Sequence, residues 1–341
     1  MRSVLVEIPP LPSLLAYGLM GVVAVLFAVR LITAWRSPEA RKEFPSIAVL
    51  SALMAAAFIG LLTYWRGNPI LVRSYGFMLM LGFAAGTLVT LREAKRRGVE
   101  AEVFLDFAIW ALGSSIVAAR LVFVMLNAAD YEDEPNKIFQ LWGGGLSFHG
   151  GLAGGIVALI VFCRRRKLSF LTMGDIIAPA LPLGYAFARV GCFLNGCCYG
   201  TPTKAPWAVV FPDEHIIGAK TLPSHPTQIY SLLLSLVIFG ILWGVRTRTK
   251  FSGQLICLYL ILYSVERFSV EFFRKDVTAA PFMRTPLTQA QVASIALIVF
   301  CVWGWRVLAR RAARAKARAA QPQPPPPVRK RKREKAGAKK S

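Results

Sequence analysis

The chain has 341 residues, 55% of them hydrophobic and only 17% charged, with a mean hydropathy of +0.50. That balance excludes an ordinary soluble domain and points to an integral membrane protein. The formal net charge of +23 excludes less than it suggests: fourteen Lys/Arg and one acid lie from Arg306 onward, so +13 belongs to the tail, where no nucleic-acid-binding motif accompanies it.

Apolar runs near 14–34, 46–64, 75–91, 103–126, 146–163, 176–194, 229–245, 253–271 and 287–305 predict nine helical spans, with Gly and Pro interrupting the fifth and sixth. The first run is longer than the roughly 7–15 apolar residues of a cleaved leader. It has no small-x-small cleavage site and carries Arg30, so it reads as a retained membrane helix. Basic connectors at 36–42, 92–97, 164–167 and 246–250, together with the tail, fall in every second position. The positive-inside rule then puts the N-terminus outside and the tail in the cytoplasm. On that topology the connectors 128–145, 195–228 and 274–286 face outward, and 195–228 is the longest of them. The tail holds a Pro-rich stretch at 321–327 and Arg329-Lys-Arg-Lys-Arg333. It reads as a disordered extension attracted to anionic lipid headgroups. No internal repeat supports a repeat-built transporter.

Taken along the chain, the polar residues of the spans come next. Tyr75 and Gly76 open the third span and Arg120 lies inside the fourth. His149-Gly150-Gly151-Leu152 begins the fifth; its glycines let backbone or a ligand approach closely. Arg189 and Asn195 close the sixth, Arg189 offering a planar fork suited to a phosphodiester. Asn195-Gly196 suits a helix end. Cys192, Cys197 and Cys198 leave three readings open: a disulfide between Cys192 and one of the others, a metal site (although C-x4-C-C is not a standard tetrahedral spacing), or packing. Cys163, Cys257 and Cys301 read as small packing residues. His225-Pro226 starts the seventh span, with Gln228 and Tyr230 just after it. In the eighth, Tyr263, Arg267 and Glu271 share one helix face. Charges at membrane depth are costly unless paired, so Arg267 with Glu271 reads as functional. Arg274 reads as an interfacial residue whose long side chain snorkels.

Taken together, these segments resemble the bacterial prolipoprotein diacylglyceryl transferase family over roughly 68–308. Tyr75-Gly76, Ala118-Ala-Arg120-Leu, His149-Gly-Gly-Leu152, His225-Pro-Thr-Gln-Ile-Tyr230 and Tyr263 through Arg274 follow the family's order. Of its signature, Arg189, Gly191, Phe193, Asn195 and Gly200 fit, while Ala188, Cys192 and Cys197 stand where the family has Gly, Asn and Glu. The resemblance implies an all-α, polytopic membrane helix bundle: a seven-helix core at 68–308 with an outward loop region, two additional N-terminal helices within 1–67, and the basic tail at 309–341. It implies an enzyme of the bacterial inner membrane. The enzyme would transfer diacylglyceryl from phosphatidylglycerol to the lipobox cysteine of preprolipoproteins, its partners being that lipid, the signal peptides and surrounding membrane lipids, with no cofactor or metal and no nucleic acid. His149, Arg189 and Arg267 are the implied catalytic residues, His149 as base. Tyr75, Arg120, Gly150, Gly151, Asn195, Gly200, Tyr263 and Glu271 are the implied substrate-binding set. Other readings of the same residues are a paralogue with another substrate, an anion transporter lined by Arg120, Arg189, Arg267 and Glu271, and a membrane thiol or metal protein built on the three cysteines.

Overall fold

The computed structural model describes residues 4–8, 70–132, 134–140, 144–212, 219–274 and 286–319. The spans expected at 14–34 and 46–64 and the Pro-rich tail lie outside the described residues. In chain order the described elements are β1 (Val4–Ile8), β2 (Ile70–Arg73), α1 (Ser74–Arg96), α2 (Ala101–Leu126), α3 (Phe148–Arg165), α4 (Phe170–Ile177), α5 (Ala180–Asn195), α6 (Thr227–Val245), α7 (Gln254–Glu271) and α8 (Gln289–Ala319). β1 and β2 pair antiparallel, with Val6 opposite Val72, just ahead of α1.

Helices α1, α2, α3, α6 and α8 are each long and apolar enough to cross a bilayer, and α4 with α5 pass the same test together as a pair bent by 45°. The break falls at Pro179, which has no amide hydrogen to continue the α4 ladder. On α2, Leu105, Ile109, Leu112 and Ile116 are exposed at helical spacing, as are Leu233, Val237 and Ile241 on α6. Such apolar stripes cost nothing against lipid tails, and the chain is a polytopic helical membrane protein. α8 runs on past the membrane-length stretch into Arg- and Ala-rich sequence as far as Ala319, composed largely of strong helix formers.

Small residues set the close helix contacts. A Cβ on Gly150 would lie 2.6 Å from the Ala118 carbonyl oxygen, and one on Gly154 would lie 2.5 Å from that of Ser114, so α3 rides directly on the α2 backbone. Gly82 brings α1 onto α5 in the same way, its added Cβ meeting Phe187 at 2.9 Å. α7 packs inside, against α6, α8 and α4.

The two ends of the bundle differ in chemistry. At one end the buried Glu93 of α1 binds Arg96 and Arg97, with Arg246 3.6 Å away. There the fully buried Asp175 accepts from the amides of Gly253 (2.8 Å) and Ile256 (3.0 Å), capping the start of α7 with a carboxylate. The other end lies about 27 Å up α1, at 1.5 Å per residue from Glu93 to Tyr75. There the first turns of α1 and α6 meet the last turns of α5 and α7. The described stretches 196–212 and 219–226 of the connector that follows α5 fold over them. Within it Val209 and Ser224 exchange both backbone hydrogen bonds (3.1 and 3.0 Å), and Phe211, fully buried, stacks on Tyr199 at 5.1 Å.

Candidate functional site

Three guanidinium groups gather at the second end. Arg189, on α5, donates from Nη2 to the Tyr185 hydroxyl one turn earlier (2.6 Å), and its guanidinium carbon sits 4.6 Å from the centroid of that ring. Among the described residues its buried Nε has no hydrogen-bond partner. Tyr185 meets Tyr263 of α7 edge-on at 5.7 Å, and Tyr263 stacks on Tyr259. The same α7 face carries Arg267, whose Nη1 donates to Glu271 Oε2. Glu271 is 2% exposed. Its other oxygen accepts from Thr288 Oγ1 (3.2 Å), and Arg274 Nε lies 3.9 Å from the first.

Glu266 joins them from the next position on α7. It is 4% exposed, and its carboxylate interacts with Arg189, Arg267 and Arg274 at Coulombic range. Three guanidiniums thus face at most two negative charges, and the cluster is net positive. Burial, followed by the neighbouring Arg267 and Arg189 charges, presses the Arg274 guanidinium below its ordinary value. The expectation that Arg274 merely snorkels is corrected: its side chain is 8% exposed and belongs to the cluster. The 200–203 backbone closes over the end of α7, through a bridge from Gly200 to Arg274 and the Thr201 amide on the Phe273 carbonyl (2.8 Å), and this turns Arg274 inward.

Tyr75, in the first turn of α1, lies beside Arg189 and the three cysteines and crosses α5 where Gly191 leaves room: an added Cβ there would sit 3.1 Å from the Tyr75 ring. Gly196, at φ 81°, ends α5 as a left-handed cap, as the Asn195-Gly196 pair suggests. Asn195 is exposed at that end. Beyond it, Cys197 and Cys198 have their carbonyls held by Gln228 Nε2 (2.7 Å) and Thr227 Oγ1 (2.8 Å). All three cysteines are free thiols, so the disulfide reading finds no support. Thiol hydrogen bonds from Cys192 and Cys197, reinforced by Arg189 and Arg274, hold the Cys198 thiol below its usual range. Gly200 is required by closeness, since a Cβ would lie 2.1 Å from the Phe273 carbonyl oxygen. Beside the cluster a cavity of ≈ 340 Å³ is lined by Trp207, His225, Tyr230, Leu234 and Phe273. There the Tyr230 hydroxyl contacts His225 Nδ1 (3.0 Å) and accepts from Trp207 Nε1 (2.7 Å).

Arg189, Arg267, Tyr75, Tyr263, Glu271 and Gly200 are therefore brought together around one region. Arg120, His149, Gly150 and Gly151 belong to the neighbouring α2–α3 pair. Arg120 donates to the carbonyls of Lys137 (2.6 Å), Ile138 (2.8 Å), Gly144 and Gly145 (both 2.9 Å), so its fork is spent on the connector that leads into α3. His149 is exposed at the start of α3, its ring centroid 5.7 Å from that of Phe148 in an edge-on pair, with no hydrogen bond to any described residue. Gly150 faces α2 backbone, and Gly151 is in ordinary contact with Ala119. Sequence reasoning missed Glu266 and Tyr185. Glu266 sits beside Arg267 in the same charged stretch, and Tyr185 precedes Arg189 by one helical turn; those two spacings were the available signals.

A cage of this kind can hold a phosphate ester and stabilise negative charge growing on a leaving phosphate. A family model described as prolipoprotein diacylglyceryl transferase matches residues 63–307. The chain is similar to the phosphatidylglycerol–prolipoprotein diacylglyceryl transferase of Gloeobacter violaceus, 38% identical over 248 residues, covering 71% of this chain and 91% of the relative. It is 36% identical over 251 residues to that of Nitratidesulfovibrio vulgaris (72% and 92% covered), and 37% identical over 254 residues to that of Rhodospirillum rubrum (72% and 90%).

Proposed function

The chain belongs to the prolipoprotein diacylglyceryl transferase family, and we propose that it carries out the reaction in its relatives' name, moving diacylglyceryl from phosphatidylglycerol onto the lipobox cysteine of a preprolipoprotein. The observation that carries this reading is the arginine cluster. Three guanidiniums converge there on the buried Glu271 and Glu266, and the cluster is net positive, the complement of a phosphodiester.

The chemistry needs a thiolate, a held electrophile and a stabilised leaving group. Lipid and signal peptide meet in the membrane plane, which replaces a bimolecular search by positioning. Arg189 and Arg267 hold the phosphate; Glu271 fixes the Arg267 fork, and Tyr185 fixes that of Arg189. As sulfur bonds to the glyceryl carbon, the carbon–oxygen bond to phosphate breaks. The charge gathering on the departing glycerol phosphate then meets donors already in place, so binding strengthens in the transition state. The thiol, with an ordinary pKa of about 8.5, must first lose its proton. His149, exposed at the same end of the bundle, is the base the family resemblance implies. The apolar wall of the Trp207–Tyr230 cavity suits a lipid chain or the signal-peptide helix. Arg120 acts at one remove, shaping the connector before His149. The charge pattern of the connectors supports an inner-membrane orientation with this end outward and the tail in the cytoplasm.

Complementation tests the reading. A bacterium depleted of its own transferase and supplied with this chain should recover prolipoprotein modification, seen as a gel shift. Arg267→Ala should abolish the rescue. Phosphatidylglycerol should also stabilise the purified protein more than phosphatidylethanolamine does. Anion flux through reconstituted protein without lipid transfer would favour the transporter instead.

A further inference from the structure

The reaction just described leaves three thiols beside the arginine cluster without a task. Cys192 closes α5, Cys197 and Cys198 follow the turn, and their three Sγ atoms all lie within 4.8 Å of one another. The arrangement is fixed from two sides. Gly196 turns the chain at φ 81°, and Cys198 itself adopts φ 61°, a left-handed conformation that residues with a side chain seldom take. From α6, the buried Thr227 and Gln228 bind the carbonyls of Cys198 and Cys197. Local strain is thus stabilised by buried hydrogen bonds, and the result is convergence of sulfur.

We propose that Cys192, Cys197 and Cys198 form a three-thiolate site for one zinc-like d10 cation, whose fourth position receives the thiol of the acceptor peptide. Zn–S bonds of about 2.3 Å place tetrahedral sulfurs about 3.8 Å apart, within the separation seen here. Thiolates select zinc or monovalent copper over magnesium and calcium. Among the described residues no histidine, carboxylate or further cysteine joins the three. Three protein ligands with an open position is the makeup of a catalytic zinc site, whereas structural sites are closed by four. Three thiolates with Zn2+ carry a net charge of −1, and Arg189 and Arg274 stand next to them. Two of these cysteines occupy positions where the resembled signature has Asn and Glu, so this chain has exchanged oxygen and amide groups for sulfur next to the reacting centre.

The proposal rests on the transferase reading and adds a metal to a reaction for which the sequence implied none. The acceptor thiol gives its proton to His149, the base assigned above, as its sulfur takes the fourth position; a coordinated thiol is held as thiolate at neutral pH. That sulfur then bonds to the glyceryl carbon while the carbon–oxygen bond breaks, and the electron pair leaves with glycerol phosphate toward Arg189 and Arg267. The cation's oxidation state is unchanged. The neutral thioether is a weaker ligand and departs.

Full-length protein, purified in detergent under reducing conditions, is given one equivalent of Zn2+ or Co2+ and desalted. One metal per chain is expected by elemental analysis, with a thiolate-to-cobalt charge-transfer band in the Co2+ form. Cys192→Ser, Cys197→Ser and Cys198→Ser should each weaken retention by more than about tenfold, at least the loss seen when a metal's outer partners are removed. Cys301→Ala should leave it unchanged. A lipobox peptide should raise the band by roughly a third, as three sulfurs become four, and the same peptide with Ser for Cys should not. Wild-type protein that retains no metal overturns the proposal, as does equal retention by the triple Ser variant, or a Cys192 disulfide in protein isolated without reductant. Metal retention is read without turnover, so the two readings separate. Metal-loaded protein that transfers no lipid counts against the transferase reading and leaves the site standing. A metal-free triple Ser variant that transfers at the wild-type rate refutes the metal's role alone.

Discussion

Replacing Glu271 by Gln removes one charge from the centre of the site while keeping its shape. Glu271 is 2% exposed and serves both Arg267 and Arg274, whose side chains are 17% and 8% exposed. Removing one partner of a buried ion pair costs about 3–5 kcal/mol, because the remaining charge stays desolvated. The Coulomb term agrees: unit charges about 4 Å apart at an effective dielectric of 20 interact by about 4 kcal/mol. Unfolding of Glu271→Gln in detergent should therefore be easier by about 3–5 kcal/mol. The positive surplus rises by one charge, so phosphatidylglycerol should be held at least as tightly. Turnover should still fall by two orders of magnitude or so, the usual cost of losing one preorganised donor to a growing oxyanion, because Arg267 loses its anchor. Adding Arg267→Met to Glu271→Gln should restore part of the stability and none of the turnover. Equal stability and equal turnover of Glu271→Gln and the parent would refute the argument that this carboxylate organises the cluster.

Three further outcomes follow from the same geometry. Arg189→Lys keeps the charge but loses the planar fork that Tyr185 orients, and should lower turnover by about 10²–10³-fold in a phosphatidylglycerol assay. Gly200→Ala forces a methyl to within 2.1 Å of the Phe273 carbonyl oxygen and should destabilise the protein by about 1–3 kcal/mol or more, lowering its melting temperature and loosening Arg274. Arg120→Ala abandons four backbone carbonyls; limited proteolysis should then cut the 132–145 connector faster, with turnover reduced and headgroup affinity retained.

Much of this molecule was legible in its sequence because lipid solvent makes hydropathy a strong signal: the spans near 75–91, 103–126, 229–245 and 287–305 each correspond to one helix. The bend at Pro179 was legible only as an interruption, since its angle depends on how α4 and α5 pack. Arg267 and Glu271 were legible as a pair through helical spacing. Arg274 was not, because it follows the last turn of α7 and its inward direction is set by a bridge to Gly200, seventy-four positions earlier. His149 read as a base and Gly150 and Gly151 as substrate contacts, whereas the structure shows an exposed imidazole and a Gly150 spent on contact with α2. Glycine patterns announce close approach without saying what approaches. Glu266 was hidden by its neighbours, since a charge beside Arg267 looks like part of a polar helix end until α5 brings Arg189 to it.

In the proposed reaction this arginine cage holds phosphatidylglycerol while a cysteine sulfur displaces its phosphate. That reaction is tested most directly by reconstituting the purified protein with phosphatidylglycerol and a lipobox peptide and following both products by mass spectrometry. Peptide carrying diacylglyceryl on sulfur and glycerol phosphate should appear in equal amounts. Folded protein that leaves the peptide unmodified, or that releases glycerol phosphate without forming the thioether, would contradict this reading.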